Sequence, residues 1–172
     1  VWPHLKQVAG DTPATLNSIS GLDALAEVVA LAGDLQPDIY SLHLYPEGDL
    51  IWTHYLSSQL EQALATIDGK ELLIGEFGYS TYYHGETSQA NLLRDFFYHA
   101  DQKGVQHLSY WTFTDVFEES GAGDTAFHGG FGMINFQGIP KPTFHTYRLL
   151  NTLGGEVLEH TPAGMVTRVP DS

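Results

Sequence analysis

Apolar positions in this chain alternate between a strand-like period of two and a helix-like period of about 3.6, and the switches come in a regular order. About Val1 to Gly10 reads as the end of a helix, and "TPATLNSIS" follows as a short strand. From Gly21 a helix carries Leu22, Leu25, Val28, Val29 and Ala32 on one face, with Gly33 placed to stop it. Asp38 to Tyr45 alternates as a strand, and Leu56, Leu60, Leu64 and Ile67 then mark a helix face. The third unit runs from "ELLIGEF" into a helix from about Ser88 to Lys103, striped by Leu92, Leu93, Phe96, Phe97 and Ala100 and ended by Gly104. The fourth has the strand "VQHLSYWTF", a loop from about Thr114 to Ile139, and a helix from about Lys141 to Leu153 with prolines in its first turn.

Strand and helix in repeated alternation imply an α/β fold with a parallel sheet, since each return crossing is made by a helix. A doubly wound sheet would usually carry a glycine-rich phosphate loop, and neither G-x-G-x-x-G nor G-x-x-x-x-G-K-[ST] joins a strand to its helix here. A (β/α)8 TIM barrel needs eight units in roughly 250 residues. Four units in 172 residues therefore read as the second half of such a barrel, strands five to eight. The closing "GEVLEHTPAGMVTRVP" departs from helical spacing and reads as the first strand of an appended β domain, which divides the chain into 1–155 and 156–172.

Composition narrows the partners. With 21 Asp and Glu against 7 Lys and Arg the net charge is −14, which argues against nucleic acid and against an anionic membrane surface. No apolar run approaches the roughly 20 residues that span a bilayer, and the first ten residues lack the pattern of a signal peptide. Without cysteine, only the nine His and the carboxylates remain as metal ligands. Aromatic residues gather in "IYSLHLYP", "EFGYSTYYH" and "SYWTFTDVFEE", beside polar ones. Such clusters suit a carbohydrate, whose C–H faces pack on rings while its hydroxyls need fixed partners.

In a barrel the reactive groups stand at the C-terminal ends of the strands. That rule singles out His43 and Tyr45 on the second strand, Glu76 on the third, and Trp111 and Asp115 on the fourth, all expected to face one cavity. His43 and Tyr45 are two apart and point the same way. A carboxylate within reach of a tyrosine hydroxyl suits a glycosidase nucleophile, and Trp111 suits a platform beneath a sugar ring. Glu118 and Glu119 follow in the loop, where one of them can grip a ring hydroxyl. A metal set of Asp115, Glu118, Asp124 and His128 is the competing use of the same loop, without a ligand spacing of known specificity.

"SYWTFTDVFEES" followed by "FHGGFGMINFQGIPKPTFHTYRLLNTLG", with looser matches at "SLHLYP" and "LLIGEFGYS", resembles the C-terminal half of the catalytic barrel of glycoside hydrolase family 39, the β-xylosidase family. The resemblance runs from about Pro37 to Arg168. It implies that Glu76 is the nucleophile, that His43 and Tyr45 line its subsite, and that Trp111 is the platform. It also implies that Phe117 and Glu118 or Glu119 contact the sugar; this chain has Thr81 where the family carries a further substrate-facing tyrosine, and Tyr79, Tyr82 and Tyr83 are the candidates to take its place. The implied activity is cleavage of β-glycosidic bonds with retention, without a metal or other cofactor.

Retaining hydrolysis uses two carboxyl groups about 5–5.5 Å apart. The family's acid/base glutamate lies in an Asn-Glu-Pro motif on strand four, and no Asn-Glu-Pro occurs in these residues, so that group is expected upstream of Val1. A half-barrel leaves sheet edges open, and association with the missing half or with itself is expected. An endo-acting glycosidase on a bacterial polysaccharide and a non-catalytic carbohydrate-binding module are the remaining alternatives.

Overall fold

The computed structural model describes residues 2–15, 18–45, 52–78, 86–116, 125–154, 156–161 and 164–169. In chain order the elements are α1 (Trp2–Ala9), β1 (Ile19–Ser20), α2 (Leu22–Ala32), β2 (Ile39–Leu44), α3 (Trp52–Thr66), β3 (Glu71–Phe77), α4 (Glu86–Gln102), β4 (His107–Tyr110), α5 (Pro142–Leu150), β5 (Glu156–Thr161) and β6 (Gly164–Arg168). Two compact units divide them, one of Val1–Phe77 with Ala100–Tyr110 and one of Gly78–His99 with Trp111–Ser172.

The first unit is an α/β layer on a four-stranded sheet ordered β1-β2-β3-β4, with every pairing parallel. Its apolar face is set by period two: Tyr40, Leu42 and Leu44 of β2 lie in register with Leu72, Ile74 and Phe77 of β3, and all six are buried. Leu25 of α2, Leu56, Leu60 and Ala63 of α3, and Ile67 directly after it complete this core. Burying a side chain of Leu or Ile size contributes about 1.5–3 kcal/mol. On α3 the buried row passes through Ala63, whereas the expected Leu64 is half-buried. The second step of four, from Leu60 to Leu64, drifts off the face that Leu56 and Leu60 set, and a step of three to Ala63 returns to it. The expected strand at "TPATLNSIS" shrinks to Ile19–Ser20, with an isolated pairing of Thr15 to Ile39.

Asp38, just before β2, ties α1 to the sheet: Lys6 Nζ donates to its Oδ2 at 2.6 Å and the Ala14 N–H at 2.8 Å. The Lys6 hydrogen bond, reinforced by that of Ala14, holds the Asp38 carboxyl below the usual carboxylate range. At the other end of the unit, Gly104 turns the chain out of α4 at φ 72°, and the Val105 N–H closes back on the Ala100 carbonyl at 2.9 Å.

In the second unit α4 buries Leu92, Leu93 and Phe96, and Phe97 meets the Tyr147 ring of α5 edge-on at 5.7 Å. The strand expected to run to Phe113 ends at Tyr110, because the chain beyond it bonds elsewhere. The Thr112 and Phe113 carbonyls accept from the Met133 and Ile134 N–H groups, and the Ile134 carbonyl accepts from Asp115. Asp115 corrects the sequence expectation most clearly. Rather than facing a cavity it is fully buried, with Lys141 Nζ 3.1 Å from both carboxylate oxygens. Lys141 also donates to the Gly130 carbonyl at 2.8 Å, and the Gly132 N–H donates to Asp115 at 2.7 Å. A buried carboxylate needs a cation and several donors, and this one has them. The C-terminal segment forms two strands, β5 and β6, paired antiparallel in a sheet of their own. None of the described helices is long and apolar enough to cross a membrane.

Two outcomes follow from these ties. Because the folded pKa of Asp38 is depressed, its link to Lys6 is present above the ordinary carboxylate pKa of about 3.9 and is lost as pH falls through the lower folded value. The Ala14 amide proton should report that titration by NMR with a midpoint below about pH 4, and Lys6→Met should move the midpoint up. Lys141→Met strands a buried carboxylate and should cost about 3–5 kcal/mol in chemical denaturation, while the Asp115→Asn/Lys141→Met pair should recover a large part of that loss.

Candidate active site

The site begins with a single unpaired residue. From Ile39 opposite Glu71 to Leu42 opposite Ile74, β2 and β3 advance one for one, and the next pair is His43 with Glu76. Gly75 is the extra residue of a β-bulge. Strict alternation would set Glu76 on the apolar face behind Leu72 and Ile74. The bulge turns it instead to the face of Ser41, His43 and Tyr45, and returns Phe77 to the core opposite Leu44. There Phe77 packs edge-on against Tyr110, centroids 5.5 Å apart.

Glycine at the bulge has a steric cause. A Cβ on Gly75 would collide with the hydroxyls of Ser18 and Ser41, which are bonded to each other at 2.5 Å. Neither serine has a longer side chain with which to retreat.

The bulge delivers Glu76 to two partners. Tyr45 Oη donates to Glu76 Oε2 at 2.8 Å, and His43 Nδ1 lies 3.2 Å from the same oxygen. The carboxylate keeps 28% of its side-chain surface exposed and the imidazole 19%, so both are reachable from solvent. Among the described residues no hydrogen bond engages Oε1. Chemically this is a carboxylate oriented by one oxygen and open at the other, suited to attack on an electrophilic carbon.

A cleft of about 620 Å³ adjoins this cluster. His43 and Tyr45 contribute to its wall together with Ser20, Asp23, Tyr55 and Gln59. The serines beneath Gly75 and the α3 residues of the cleft were not singled out by sequence reasoning. A signal was available for the latter, because Tyr55, Gln59 and Gln62 stand at i, i+4 and i+7 and form one polar row.

The remaining expected residues divide into two groups. Trp111 is half-buried directly after β4, its peptide bond to Thr112 is cis, and its carbonyl occupies the space a side chain on Gly78 would need. Tyr79, Phe117, Glu118 and Glu119 lie outside the described residues, as does Asp124. Of the alternative metal set, Asp115 is committed to Lys141, and His128 Nε2 lies 3.6 Å from its Oδ2. Among the described residues no group of three or more His, Asp or Glu is arranged to hold a metal ion.

The family model for glycosyl hydrolases family 39 matches residues 76–166, just over half of the chain. The chain is 49% identical over 67 residues to a β-xylosidase of Geobacillus stearothermophilus, covering 39% of this chain and 13% of the relative. It is 55% identical over 51 residues to a β-xylosidase of Caldicellulosiruptor saccharolyticus, covering 30% of this chain and 10% of the relative. A solved GH39 β-xylosidase from Caulobacter crescentus superposes with a TM-score of 0.80 over 98% of this chain and 39% of its own length. At 23% identity that likeness shows the fold. The chain thus spans well under half the length of these relatives.

The geometry at Gly75 predicts that Gly75→Ala will shift Glu76 and destabilise the sheet by about 1–3 kcal/mol, the usual cost of overpacking. A denaturation midpoint gives the stability. Gly75→Ala with Ser41→Ala, which removes one of the two colliding hydroxyls, should recover part of it.

Proposed function

We propose that this chain, which belongs to glycosyl hydrolases family 39, is the nucleophile-bearing part of a retaining, β-xylosidase-like glycosidase. One observation carries the reading: the Glu76 carboxylate is held at Oε2 by Tyr45 and His43, and among the described residues no hydrogen bond engages Oε1. In the proposed reaction Oε1 attacks the anomeric carbon as the bond to the leaving oxygen breaks. An acid/base carboxyl supplies the proton to that oxygen. The same group then takes a proton from water, which attacks the glycosyl-enzyme ester and frees Glu76. Two inversions at one carbon leave the configuration retained.

The four parallel strands are, in this reading, strands five to eight of a (β/α)8 barrel, and the acid/base glutamate belongs to a segment outside these residues. Tyr45 orients the nucleophile, and Trp111, Tyr79, Phe117 and Glu118 or Glu119 contact the sugar. The β5–β6 hairpin begins an accessory β domain. The similarity to β-xylosidases favours release of a terminal xylose over internal cleavage.

In the complete polypeptide a 2-fluoro-xyloside inactivator should label Glu76, read by mass spectrometry of the digested protein. Absence of label on an active enzyme would sink the assignment. Tyr45→Phe removes a hydrogen bond to an ionised group and should lower kcat/KM for an aryl β-xyloside roughly 10- to 100-fold. The 172-residue chain alone should show no turnover of that substrate.

A further inference from the structure

Two glycines of the second unit are required by space rather than by backbone conformation. Neither Gly78 nor Gly132 has a positive φ, so the chain at both positions would accept an alanine but for what stands beside it. A Cβ on Gly78 would overlap the Trp111 carbonyl oxygen and lie 3.2 Å from Phe131 Cδ1. A Cβ on Gly132 would overlap the Asp115 amide nitrogen and lie 2.5 Å from the Thr114 carbonyl carbon. The segment from Trp111 to Asp115 thus meets a glycine at each end, backbone against backbone.

Neither side has room to yield. Phe77, next to Gly78, is fully buried and pairs with Tyr110 at the end of β4. From Thr112 onward the chain is fastened to a second partner. The Thr112 and Phe113 carbonyls accept from Met133 and Ile134 at 3.0 and 3.1 Å, and the Asp115 N–H donates to the Ile134 carbonyl at 2.9 Å. The Asp115 side chain, clamped by Lys141, accepts from the Gly132 N–H at 2.7 Å. Trp111 is the single residue between these two systems of pairing. A methyl added at Gly78 would meet a backbone oxygen, which no change of rotamer moves away, so the Trp111 peptide has to turn.

We infer that Gly78 is a positioning residue for Trp111: its missing side chain is the seat in which the tryptophan peptide rests. The inference rests on the reading of Glu76 as nucleophile and of Trp111 as the platform under the sugar. A ring that supports the sugar in ground state and transition state alike supplies uniform binding, so displacing it weakens affinity and spares the rate of attack.

The test uses the complete polypeptide with fluorotryptophan in place of tryptophan. The fluorine resonance missing from Trp111→Phe belongs to Trp111, and Gly78→Ala should move it. With the 2-fluoro-xyloside inactivator, Gly78→Ala should raise the concentration for half-maximal inactivation roughly 3- to 10-fold, the worth of one aromatic contact, and leave the limiting rate of labelling unchanged. An unmoved resonance or an unchanged half-maximal concentration in the folded variant overturns the inference. So does a lower limiting rate at unchanged affinity, which would put the displacement at Glu76. Should Gly78→Ala fail to fold, Phe131→Ala removes the ring that walls the same seat and adds no atom. It should move the same resonance and raise the same concentration, and wild-type values there overturn the inference. A wild-type protein that takes no label overturns the nucleophile reading and the platform role with it. The fluorine resonance, read without substrate, tells that failure from one at Gly78.

Discussion

The bulge at Gly75 is the constraint on which the site depends. A strand whose residues alternate between faces cannot bury Leu72 and Ile74 and also present Glu76 beside His43 unless the alternation slips by one. The slip costs a backbone pairing and requires a residue with no side chain, because Ser18 and Ser41 fill the space beneath it. In return the carboxylate meets Tyr45 and His43, and Phe77 still reaches the core. Packing and chemistry are reconciled at one position.

Glu76 and Asp115 show how environment divides two acidic residues with similar sequence credentials. Each follows a strand-like apolar run rich in aromatic neighbours. Glu76 keeps partial exposure, a tyrosine hydroxyl and an imidazole, an arrangement that holds a carboxylate without consuming it. Asp115 is saturated by Lys141 and the Gly132 N–H in a place without solvent, where its charge fastens the chain around residues 112–134. A charge so fully compensated has no oxygen left for a substrate. The cation that settles its fate is 26 residues away, at the N-cap of α5.

Much of the architecture was legible because period and punctuation agreed. The helix stripes, the parallel order and the stop at Gly104 follow from local rules, and the main deviations occur where a distant segment competes for the backbone. β4 stops short because 112–115 bond to residues near Met133 and Ile134. On α3 the buried row runs through Ala63 because a long helix must keep its phase over three turns. The polar row of Tyr55, Gln59 and Gln62 was also written in the sequence, yet the cleft it lines required Ser20, Gly21 and Asp23 from the junction of β1 and α2.

By itself the sequence determined the alternation of strands and helices, the acidic surface, and the identity of Glu76, His43 and Tyr45 as a group at strand ends, since period two and spacing are properties of the chain alone. Tertiary structure decided which face Glu76 takes, because a bulge exists only in the register between two strands. It also decided that Asp115 is a buried anchor rather than a site residue, because the charge that compensates it arrives from elsewhere in the chain. Local pattern can place a side chain on a strand, but its surroundings come from segments that meet only when the chain has folded.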